Sequence, residues 1–468
     1  MTKPPRASRL LRYYLFRTRR LSRRQLGTLQ DWKMRVVFWI GALMVGLVTV
    51  GFAWVAELCA EAFAEMERHS SLWPVLITPL GMLATVFVMR RTGAESQGSG
   101  IPQVLVVLKQ RYHWLRPTFL WFRVIVMKFA LTCMGLLCGA SIGREGPSVH
   151  MGAAMMYSVG QVGRLHQKYV DNALIVAGGA AGVSAAFNAP LAGIVFAIEE
   201  LSGSFEQRTS GTLILAIILS GVVVLAIAGH YSFFGHPQGA LDITQDWLAI
   251  GVTGLVCGLL GGAFSRLLIT GSRFLAPYGR KHPYRVVLLC ALVLVLLGLV
   301  TGGMTYGSGY EQARHLLSGD ADGDWSFPLA KMAATLVSYF TGIPGGLFSP
   351  SLAAGAGVGN VIGGLFPDSS VVGVTLVAMA AFLAGVIQRP ITSFVIVMEL
   401  TGNRHDILLP LMAGAFVAAA VAKLVWVRPL YDSLAERLQE GEGMALDRAR
   451  VVSTESGPAD ERGRGGGQ

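Results

Sequence analysis

Long runs of apolar residues, separated by short polar stretches, dominate the pattern along the 468-residue chain. The run from 36 to 56 contains no charged residue. At about 1.5 Å rise per residue, a helix of that length covers a hydrocarbon core roughly 30 Å thick. Similar runs recur further along the chain, at 73–89, 211–229, 248–265, 286–304, 370–387 and 408–425. The pattern therefore predicts an all-α polytopic membrane protein.

A second set of apolar segments is too short to span a bilayer or is bounded by Gly, Pro or Asn: 149–160, 188–201, 346–364 and 390–401. Broken helices of this kind are typical of transporter sites near the bilayer midplane. Non-helical backbone survives at that depth only where protein covers it or where it lines a wet cavity. We therefore expect these breaks to mark the functional site.

The two halves of the chain repeat short motifs in the same order. GSG at 98 recurs at 307, GREGP at 143 is echoed by GLFSP at 346, and NAPLAGIVFAIEEL at 188 is echoed by QRPITSFVIVMELTG at 388. The starting positions differ by 209, 203 and 200 residues. This nearly constant offset favours an internal duplication, and the alternative is accidental matching in a chain with 58 glycines.

Composition and charge favour a membrane location over a nucleic-acid partner. Hydrophobic residues make up 53% of the chain and charged residues 14%, whereas soluble domains carry about 25% charged residues. The net charge is +11, but residues 1–35 hold eleven Lys or Arg against one acidic residue. A basic segment before the first span predicts a cytoplasmic N-terminus and a helix lying on anionic lipid.

These features divide the chain into five segments. We expect residues 1–35 to form a basic cytoplasmic segment and residues 36–229 to form a first membrane repeat. Residues 230–246, which lack Lys and Arg, should be an extracytoplasmic connection to a second membrane repeat at 247–428. Residues 429–468 should form a cytoplasmic C-terminal helix with a disordered tail. The basic stretches 109–116 and 273–285 should also be cytoplasmic. The five cysteines lie in or beside apolar segments without CxxC spacing, which predicts core packing and no metal site.

Three Gly-rich motifs predict helix N-termini suited to anions: GSGIP at 98–102, GREGP at 143–147 and GLFSP at 346–350. Each places Gly beside a residue that could cap, and Pro close to the helix start, where its missing N–H costs nothing. A helix N-terminus exposes unpaired N–H groups and about half a positive charge. Three such starts that converge would bind a small anion weakly enough to release it again.

The pair Arg144 and Glu145 interrupts the apolar sequence at one of these starts. A carboxylate attached there can compete with the anion for the same pocket. Protonation would neutralise the carboxylate and let it swing out, which would link anion occupancy to proton occupancy. Arg144 would hold the loop or raise the local anion concentration. The alternative, from chemistry alone, is an ordinary interfacial ion pair.

The order and spacing of GSGIP, GREGP, GLFSP and a late PLY at 429–431 resemble the CLC family of chloride channels and chloride/proton exchangers, over residues 36–438. The resemblance is to prokaryotic members without CBS domains. It implies a CLC-type inverted repeat of broken and tilted helices, in a homodimer with one ion pathway per subunit. It also implies a bacterial inner-membrane location with both termini cytoplasmic, no cofactor, and chloride and protons as substrates.

The same resemblance implies a central chloride site. The hydroxyls of Ser99 and Tyr431 and the backbone amides of Leu347 and Phe348 would hold the ion. Serine in GSGIP suits chloride, because family members selective for nitrate tend to carry proline there. Fluoride-exporting relatives lose the GREGP pattern, so its retention argues against fluoride.

An outer anion site is also implied by the resemblance. The backbone amides around Arg144, Glu145 and Gly146 would form it, and Glu145 would be the external gate and proton acceptor. Lys128 matches a family lysine on the helix before GREGP, and it would bias the local field towards anions.

Glu200 bears on the choice between an exchanger and a channel. It matches the internal proton-transfer glutamate of the family, which channels usually replace with an apolar residue. Its neighbour Glu199 lies about 100° away on a helix, so only one of the two can face a given pathway. Glu199 mirrors Glu399 at the repeat offset, which suggests a structural pair. The alternative for Glu200 is a charge at a helix end that faces the cytoplasm.

The sequence favours a chloride/proton antiporter, and the main alternative is an uncoupled chloride channel of the same fold. One departure is that apolar Leu105 and Val106 follow GSGIP where some exchangers carry glutamates, which could alter coupling. An intramembrane enzyme is disfavoured because HExxH, G-x-S-x-G and G-x-x-x-x-G-K-[ST] motifs are absent. A pure scaffold would leave the three helix starts unexplained.

Overall fold

The structure is a computed structural model that describes residues 29–440, except 166–167, 203–209, 230–232, 320–323 and 403–404. Within these ranges every regular element is a helix, and the β contact is an isolated bridge between Gly143 and Gly346. The all-α prediction is therefore confirmed. The basic residues 1–28 and the predicted tail from residue 441 onwards lie outside the described residues.

The first half of the chain forms helices in the order α1 (Leu29–His69), α2 (Trp73–Thr92), α3 (Ile101–Leu108), α4 (Arg116–Phe119), α5 (Phe122–Leu137), α6 (Glu145–Val162), α7 (Lys168–Phe187), α8 (Pro190–Phe196) and α9 (Ser210–Ala228). Helix α8 continues as a π-helical turn through Ala197–Ser202. Short 3-10 turns at Ala94–Ser96 and Gln110–Leu115 flank α3.

The second half forms α10 (Trp247–Lys281), α11 (Pro283–Val300), α12 (Tyr310–Leu316), α13 (Ser326–Phe340), α14 (Phe348–Gly363), α15 (Val371–Ile387), α16 (Pro390–Leu400) and α17 (Leu408–Val425). Residues 430–440 are also helical and are named α18. Each of the short apolar segments in the sequence became a helix that begins beside a Pro or Gly, as the breaks predicted.

Seven of the described helices are long and apolar enough to cross a membrane, and a bent pair, α4 and α5 with the turn before them, gives an eighth. Each apolar run of the sequence coincides with a helix, to within four residues at its ends. Two details differ from the prediction. Helix α7 is long and apolar enough to span the membrane, although its many small residues gave no strongly apolar run in the sequence. Helix α15, with 17 residues, is shorter than a full span and is almost wholly buried.

Small residues let the central helices pack closely in both halves. A Cβ added to Gly152 of α6 would lie 2.2 Å from the carbonyl oxygen of Gly178 in α7. A Cβ added to Gly355 of α14 would lie 2.8 Å from the carbonyl oxygen of Ala378 in α15. Glycine and alanine at such interfaces allow backbones to approach, which is the usual way that helices pack in membranes. The equivalent packing in the two halves agrees with the predicted duplication.

The cysteines also behave as predicted. Cys133, Cys138, Cys257 and Cys290 are buried, Cys59 is partly buried, and all are free thiols. Outward-facing positions on the peripheral helices carry large apolar side chains instead, such as Val222 on α9 and Leu296 on α11. An apolar exterior of this kind is what a helix in contact with lipid presents.

Candidate functional site

The three Gly-rich loops meet in the interior of the protein. Gly143 and Gly346 exchange backbone hydrogen bonds, with N···O distances of 2.8 and 2.6 Å. The amide of Gly98 donates to the carbonyl of Gly342 at 3.1 Å, and the amide of Gly345 donates back to the carbonyl of Gly98 at 3.4 Å. These bonds bring the starts of α3, α6 and α14 to one place, as the sequence predicted.

The N-cap residues of these helices are Gly100, Arg144 and Leu347, and none of the three makes a side-chain capping hydrogen bond in the described part of the chain. The sequence predicted a residue able to cap each of these helix starts, and the structure shows no such side-chain cap among the residues it describes. Gly100 has φ of 101°, a left-handed conformation that requires glycine. Without a side-chain cap, the first amides of each helix remain available for a small anion.

Ser99 and Tyr431 bring two hydroxyl groups to this meeting point. Both residues are buried, and neither hydroxyl has a hydrogen-bond partner among the described residues. A Cβ added to Gly146 would lie 2.4 Å from the Ser99 Oγ, which places that hydroxyl against the first turn of α6. Buried hydroxyls normally have a partner, so this pair is well suited to donate to an anion.

Leu347 and Phe348 form the start of α14, and both side chains are buried. The Phe348 ring stacks on the Tyr431 ring, with a centroid distance of 6.0 Å. It also contacts the rings of Phe187 and Phe196 at 6.2 Å each. This aromatic cluster fixes Tyr431 beside the helix start, so the hydroxyl and the two amides predicted to share an ion belong to one region.

Glu145 is the first residue of α6, and its side chain is buried although it carries a carboxylate. Ser349 Oγ donates to its Oε1 at 2.5 Å, whereas Oε2 has no hydrogen-bond partner among the described residues. Ser349 belongs to the first turn of α14. The carboxylate therefore lies where the N-termini of two helices face each other, and the positive ends of their dipoles favour a negative group there.

Arg144 points away from the carboxylate that follows it. Its Nη1 donates to the carbonyl of Ala53 at 3.0 Å and lies 3.4 Å from Glu57 Oε2, and its guanidinium lies over the ring of Phe233. The structure therefore gives Arg144 the first of its two expected roles, holding the loop, by tying it to α1. Arg144 and Glu145 do not form the interfacial ion pair of the alternative interpretation.

Lys128 is fully buried on α5, and its ammonium donates to the carbonyls of Ser96 and Gly98 at 2.8 and 2.7 Å. It therefore fixes the loop that carries Ser99. Lys331 on α13 makes the matching contacts in the second half, to the carbonyls of Thr305 and Gly307 at 3.0 and 2.8 Å. The two lysines differ by 203 residues, the same offset as GREGP and GLFSP, so this counterpart could have been found in the sequence.

Glu200 lies away from Glu145, in the π-helical turn after α8, and its side chain is only 1% exposed. Its Oε2 accepts a hydrogen bond from Arg389 Nε at 2.8 Å. Arg389 Nη2 also donates to Asp432 Oδ2 at 2.9 Å. The structure therefore buries Glu200 in an ion pair, whereas the alternative interpretation was a helix-end charge that faces the cytoplasm.

A cavity of about 1370 Å³ reaches Glu145 and Ser349 from the side of the protein formed by the second half of α1 and by residues 302–312. Its lining is strongly acidic and includes Glu57, Glu61, Glu65, Glu67 and Glu311. Two basic residues, Arg68 and Arg144, also line it. The cavity gives the Glu145 carboxylate a route towards solvent on one face of the protein.

Several residues of the site were missed by the sequence analysis. Ser349 stood in the quoted GLFSP motif, and a hydroxyl in the first turn of a helix was the available signal. Asp432 follows Tyr431 directly, and Arg389 stands immediately before the Pro that starts α16. Nothing local indicates that these two residues, more than 40 positions apart, would share a partner with Glu200.

The fold and the site define an integral membrane protein of the transporter or channel class. The family model described as voltage gated chloride channel matches residues 80–423. The chain therefore belongs to this family, the CLC family of channels and transporters.

Relatives with assigned names are similar over most of their length. The H(+)/Cl(-) exchange transporter ClcA of Klebsiella pneumoniae is 32% identical over 428 residues, which covers 86% of this chain and 89% of the relative. The protein of the same name from Salmonella typhimurium is 31% identical over 445 residues, which covers 89% of this chain and 90% of the relative.

Solved structures confirm the CLC fold. A slow cyanobacterial Cl-/H+ antiporter superimposes with a TM-score of 0.76 at 23% identity, covering 87% of this chain and 98% of that one. A CLC-type fluoride/proton antiporter superimposes with a TM-score of 0.73 at 23% identity, covering 86% of this chain and 99% of that one. At these identities the likeness shows the fold, including its inverted repeat, and not the transported ion.

Proposed function

We propose that this protein is a chloride/proton antiporter. The observation that carries the proposal is the buried Glu145 carboxylate, held by Ser349 between the starts of two helices, with a second oxygen that lacks a partner in the described residues. An anion that enters this region must compete with the carboxylate, and a proton that binds it removes the competitor. The named relatives from Klebsiella and Salmonella, which are H(+)/Cl(-) exchange transporters, support the same function.

Chloride would bind first at the central site that the CLC resemblance implies. The hydroxyls of Ser99 and Tyr431 would donate to it together with the amides of Leu347 and Phe348. Their burial removes competing water, which strengthens each hydrogen bond to the ion. No full positive charge touches the ion in this arrangement, so it can leave again.

The outer site would use the amides of Arg144 and Gly146 around Glu145. In the ionised state the Glu145 side chain occupies this position, and after protonation the side chain would move and admit chloride. Lys128 would act from a distance, through the loop that it holds and through its positive charge. The acidic cavity that reaches Glu145 would supply protons to it from one side.

Protons would arrive from the other side through Glu200. Tyr431 would lie on the route between the two carboxylates, because its ring stacks on Phe348 at the start of α14 and the next residue, Asp432, shares Arg389 with Glu200. One pH unit is worth about 1.4 kcal/mol per proton, and 100 mV is worth about 2.3 kcal/mol per charge. Either gradient is therefore large enough to drive the other ion.

A second candidate is an uncoupled chloride channel of the same fold. The observation that favours it is the apolar character of α3, where Leu105 and Val106 are buried and supply no carboxylate to the proton route. The reversal potential separates the two candidates, because that of a channel ignores a pH gradient and that of an antiporter shifts with it.

The test is simultaneous recording of chloride and pH in liposomes that contain the purified protein. An outward chloride gradient should drive protons uphill in the wild type. Glu200→Gln should keep the chloride flux and lose the uphill proton movement. Glu436→Gln, in an exposed ion pair with Arg428, is the matched control and should pump normally. Proton pumping at the wild-type rate by Glu200→Gln would contradict the assigned route.

Assembly and orientation form part of the same proposal. We propose a homodimer with one pathway per subunit in a bacterial inner membrane, with both termini cytoplasmic. Large apolar side chains exposed on α9, including Leu215 and Ile218, would face lipid or the second subunit. Boundaries at 36–229 and 247–428 for the two repeats, joined by an extracytoplasmic connection at 230–246, follow from the same topology. Cysteine accessibility on the two membrane faces tests these assignments.

A further inference from the structure

Arg389 occupies a position that the backbone does not require to be arginine. It precedes Pro390 and serves as the N-cap of α16, with φ −123° and ψ 82°. Its counterpart in the first half, Ala189, precedes Pro190 and has nearly the same conformation, with φ −134° and ψ 82°. Alanine therefore suffices for this turn, and the Arg389 side chain must be explained by what it contacts.

The Arg389 guanidinium joins two carboxylates that differ greatly in exposure. The Glu200 side chain is 1% exposed and the Asp432 side chain is 36% exposed, while Arg389 lies between them. The contacts of 2.8 and 2.9 Å are direct hydrogen bonds between charged groups. Charge-assisted bonds of this kind are about twice as strong as neutral ones. One guanidinium thus connects a buried acid to an acid that reaches solvent.

The charge of this cluster suits the uptake of one proton. The charged groups that act on Glu200 are Arg389, Asp432 and Glu199. The two carboxylates and the guanidinium carry a net charge of −1 when both acids are ionised. Glu199 is occupied with the amides of α16. A proton that joins the triad makes it neutral, and a neutral group is the more stable one in a buried site.

We propose that Arg389 is a positioning residue and that Asp432 is the solvent-side entrance of the proton route to Glu200. The inference rests on the proposed function, since it assigns residues to the inner end of that route. In the first step Asp432 takes a proton from water and loosens from Arg389. In the second step the proton passes from Asp432 to Glu200, so that Asp432 is ionised again and Arg389 returns to it.

Arg389 has two functions in this scheme. It keeps the ionised Glu200 directed towards Asp432, and it favours release of the proton from Glu200 because the carboxylate is stabilised by the guanidinium. Loss of the positive charge would leave Glu200 as a buried acid without its partner, and a proton bound there would no longer exchange with solvent.

The transport test uses Arg389→Gln, Arg389→Lys and Asp432→Asn in liposomes, with chloride and proton movement recorded together. Arg389→Gln should lower the protons moved per chloride roughly tenfold, with chloride flux near the wild-type rate. Arg389→Lys should restore part of the ratio, and Asp432→Asn should lower it most at alkaline pH. The control is Arg428→Gln, in an exposed ion pair. A wild-type ratio in Arg389→Gln would overturn the inference.

A chemical test keeps the inference independent of coupled transport. Dicyclohexylcarbodiimide modifies protonated carboxyl groups in apolar surroundings, and mass spectrometry of the Glu200 peptide reports the extent. Arg389→Gln should raise this labelling roughly tenfold over the wild type, because an opposite charge within a few ångströms favours the ionised form. Arg389→Lys and Arg428→Gln should stay near the wild type, with the half-buried Glu399 as internal reference.

The two tests separate the possible failures. A wild type that conducts chloride without moving protons would contradict the proposed antiport, while the labelling would still decide whether Arg389 controls Glu200. Equal labelling of wild type and Arg389→Gln would overturn the positioning role, even if the wild type pumps protons.

Discussion

Glu199 caps α16, the helix that carries Glu399, and Glu399 caps α8, the helix that leads to Glu199. The amides of Ile391 and Thr392 donate to the two oxygens of Glu199 at 3.2 and 2.6 Å. The amides of Leu191 and Ala192 donate to the two oxygens of Glu399 at 3.1 and 2.6 Å. This reciprocal arrangement is the two-fold relation of the repeats at the level of single atoms, and it shows the structural pair that the sequence suggested.

The reciprocal caps predict equal effects on stability. Each carboxylate satisfies two amides that no intrahelical bond can reach and lies at the positive end of a helix dipole. Glu199→Ala and Glu399→Ala should each lower the free energy of unfolding by about 1–2 kcal/mol. Thermal unfolding in detergent measures this, with Glu61→Ala on the wall of the acidic cavity as control.

Glu199→Ala should still couple proton movement to chloride movement, because the carboxylate that it removes contacts α16 and not the proton route. A loss of coupling at constant stability in Glu199→Ala would contradict the division of roles between Glu199 and Glu200. Markedly unequal losses of stability in the two variants would contradict their equivalence.

Glu145→Gln should open the anion route and remove its dependence on pH. Glutamine resembles the protonated acid in size and neutrality, so it does not compete with chloride for the site at any pH. We expect chloride flux in liposomes to become independent of pH in this variant, whereas the wild-type flux should rise when a proton neutralises the carboxylate. Ser349→Ala retains the carboxylate and should keep a pH dependence.

A comparison of the pH responses of Glu145→Gln and Ser349→Ala identifies the group that gates the anion route. If Glu145→Gln keeps the pH response of the wild type, the titrating group lies elsewhere. If Ser349→Ala alone abolishes the response, the hydroxyl and not the carboxylate controls access.

Much of this architecture was predictable from the sequence because local rules determine it. Apolar runs fix where helices lie, and Gly and Pro fix where α3, α6 and α14 begin. The repeat offset predicted the pairing of Glu199 with Glu399. The contacts of Arg144 with Ala53 and of Arg389 with Asp432 were not predictable, since they join segments whose relative position depends on the packing of the whole bundle. Helix α7 was missed because its stability comes from close packing of glycine and alanine and not from a strongly apolar pattern.

Lys128 and Lys331 offer a matched comparison between stability and anion binding. Each ammonium satisfies buried carbonyl groups, so Lys128→Met and Lys331→Met should both cost about 1–3 kcal/mol of stability through unpaired acceptors. Only the loop held by Lys128 carries Ser99. Lys128→Met should therefore also weaken chloride binding, as measured by calorimetry in detergent, and Lys331→Met should not. Equal chloride affinities in the two variants would show that the loop anchor does not shape the anion site.

Gly146 provides a direct steric test of the anion site. Its conformation is helical, so alanine fits the backbone, but the added Cβ would lie 2.4 Å from Ser99 Oγ and 3.1 Å from the Cα of Gly346. The Ser99 hydroxyl would have to move, and crowding of this degree costs about 1–3 kcal/mol. Gly146→Ala should weaken chloride binding by a similar amount, because the displaced Ser99 hydroxyl can no longer donate to the central ion together with the Tyr431 hydroxyl. Gly251→Ala in α10 is the control, since its Cβ would meet nothing within 4 Å. If both variants bind chloride like the wild type, the Ser99 hydroxyl does not donate to the bound ion.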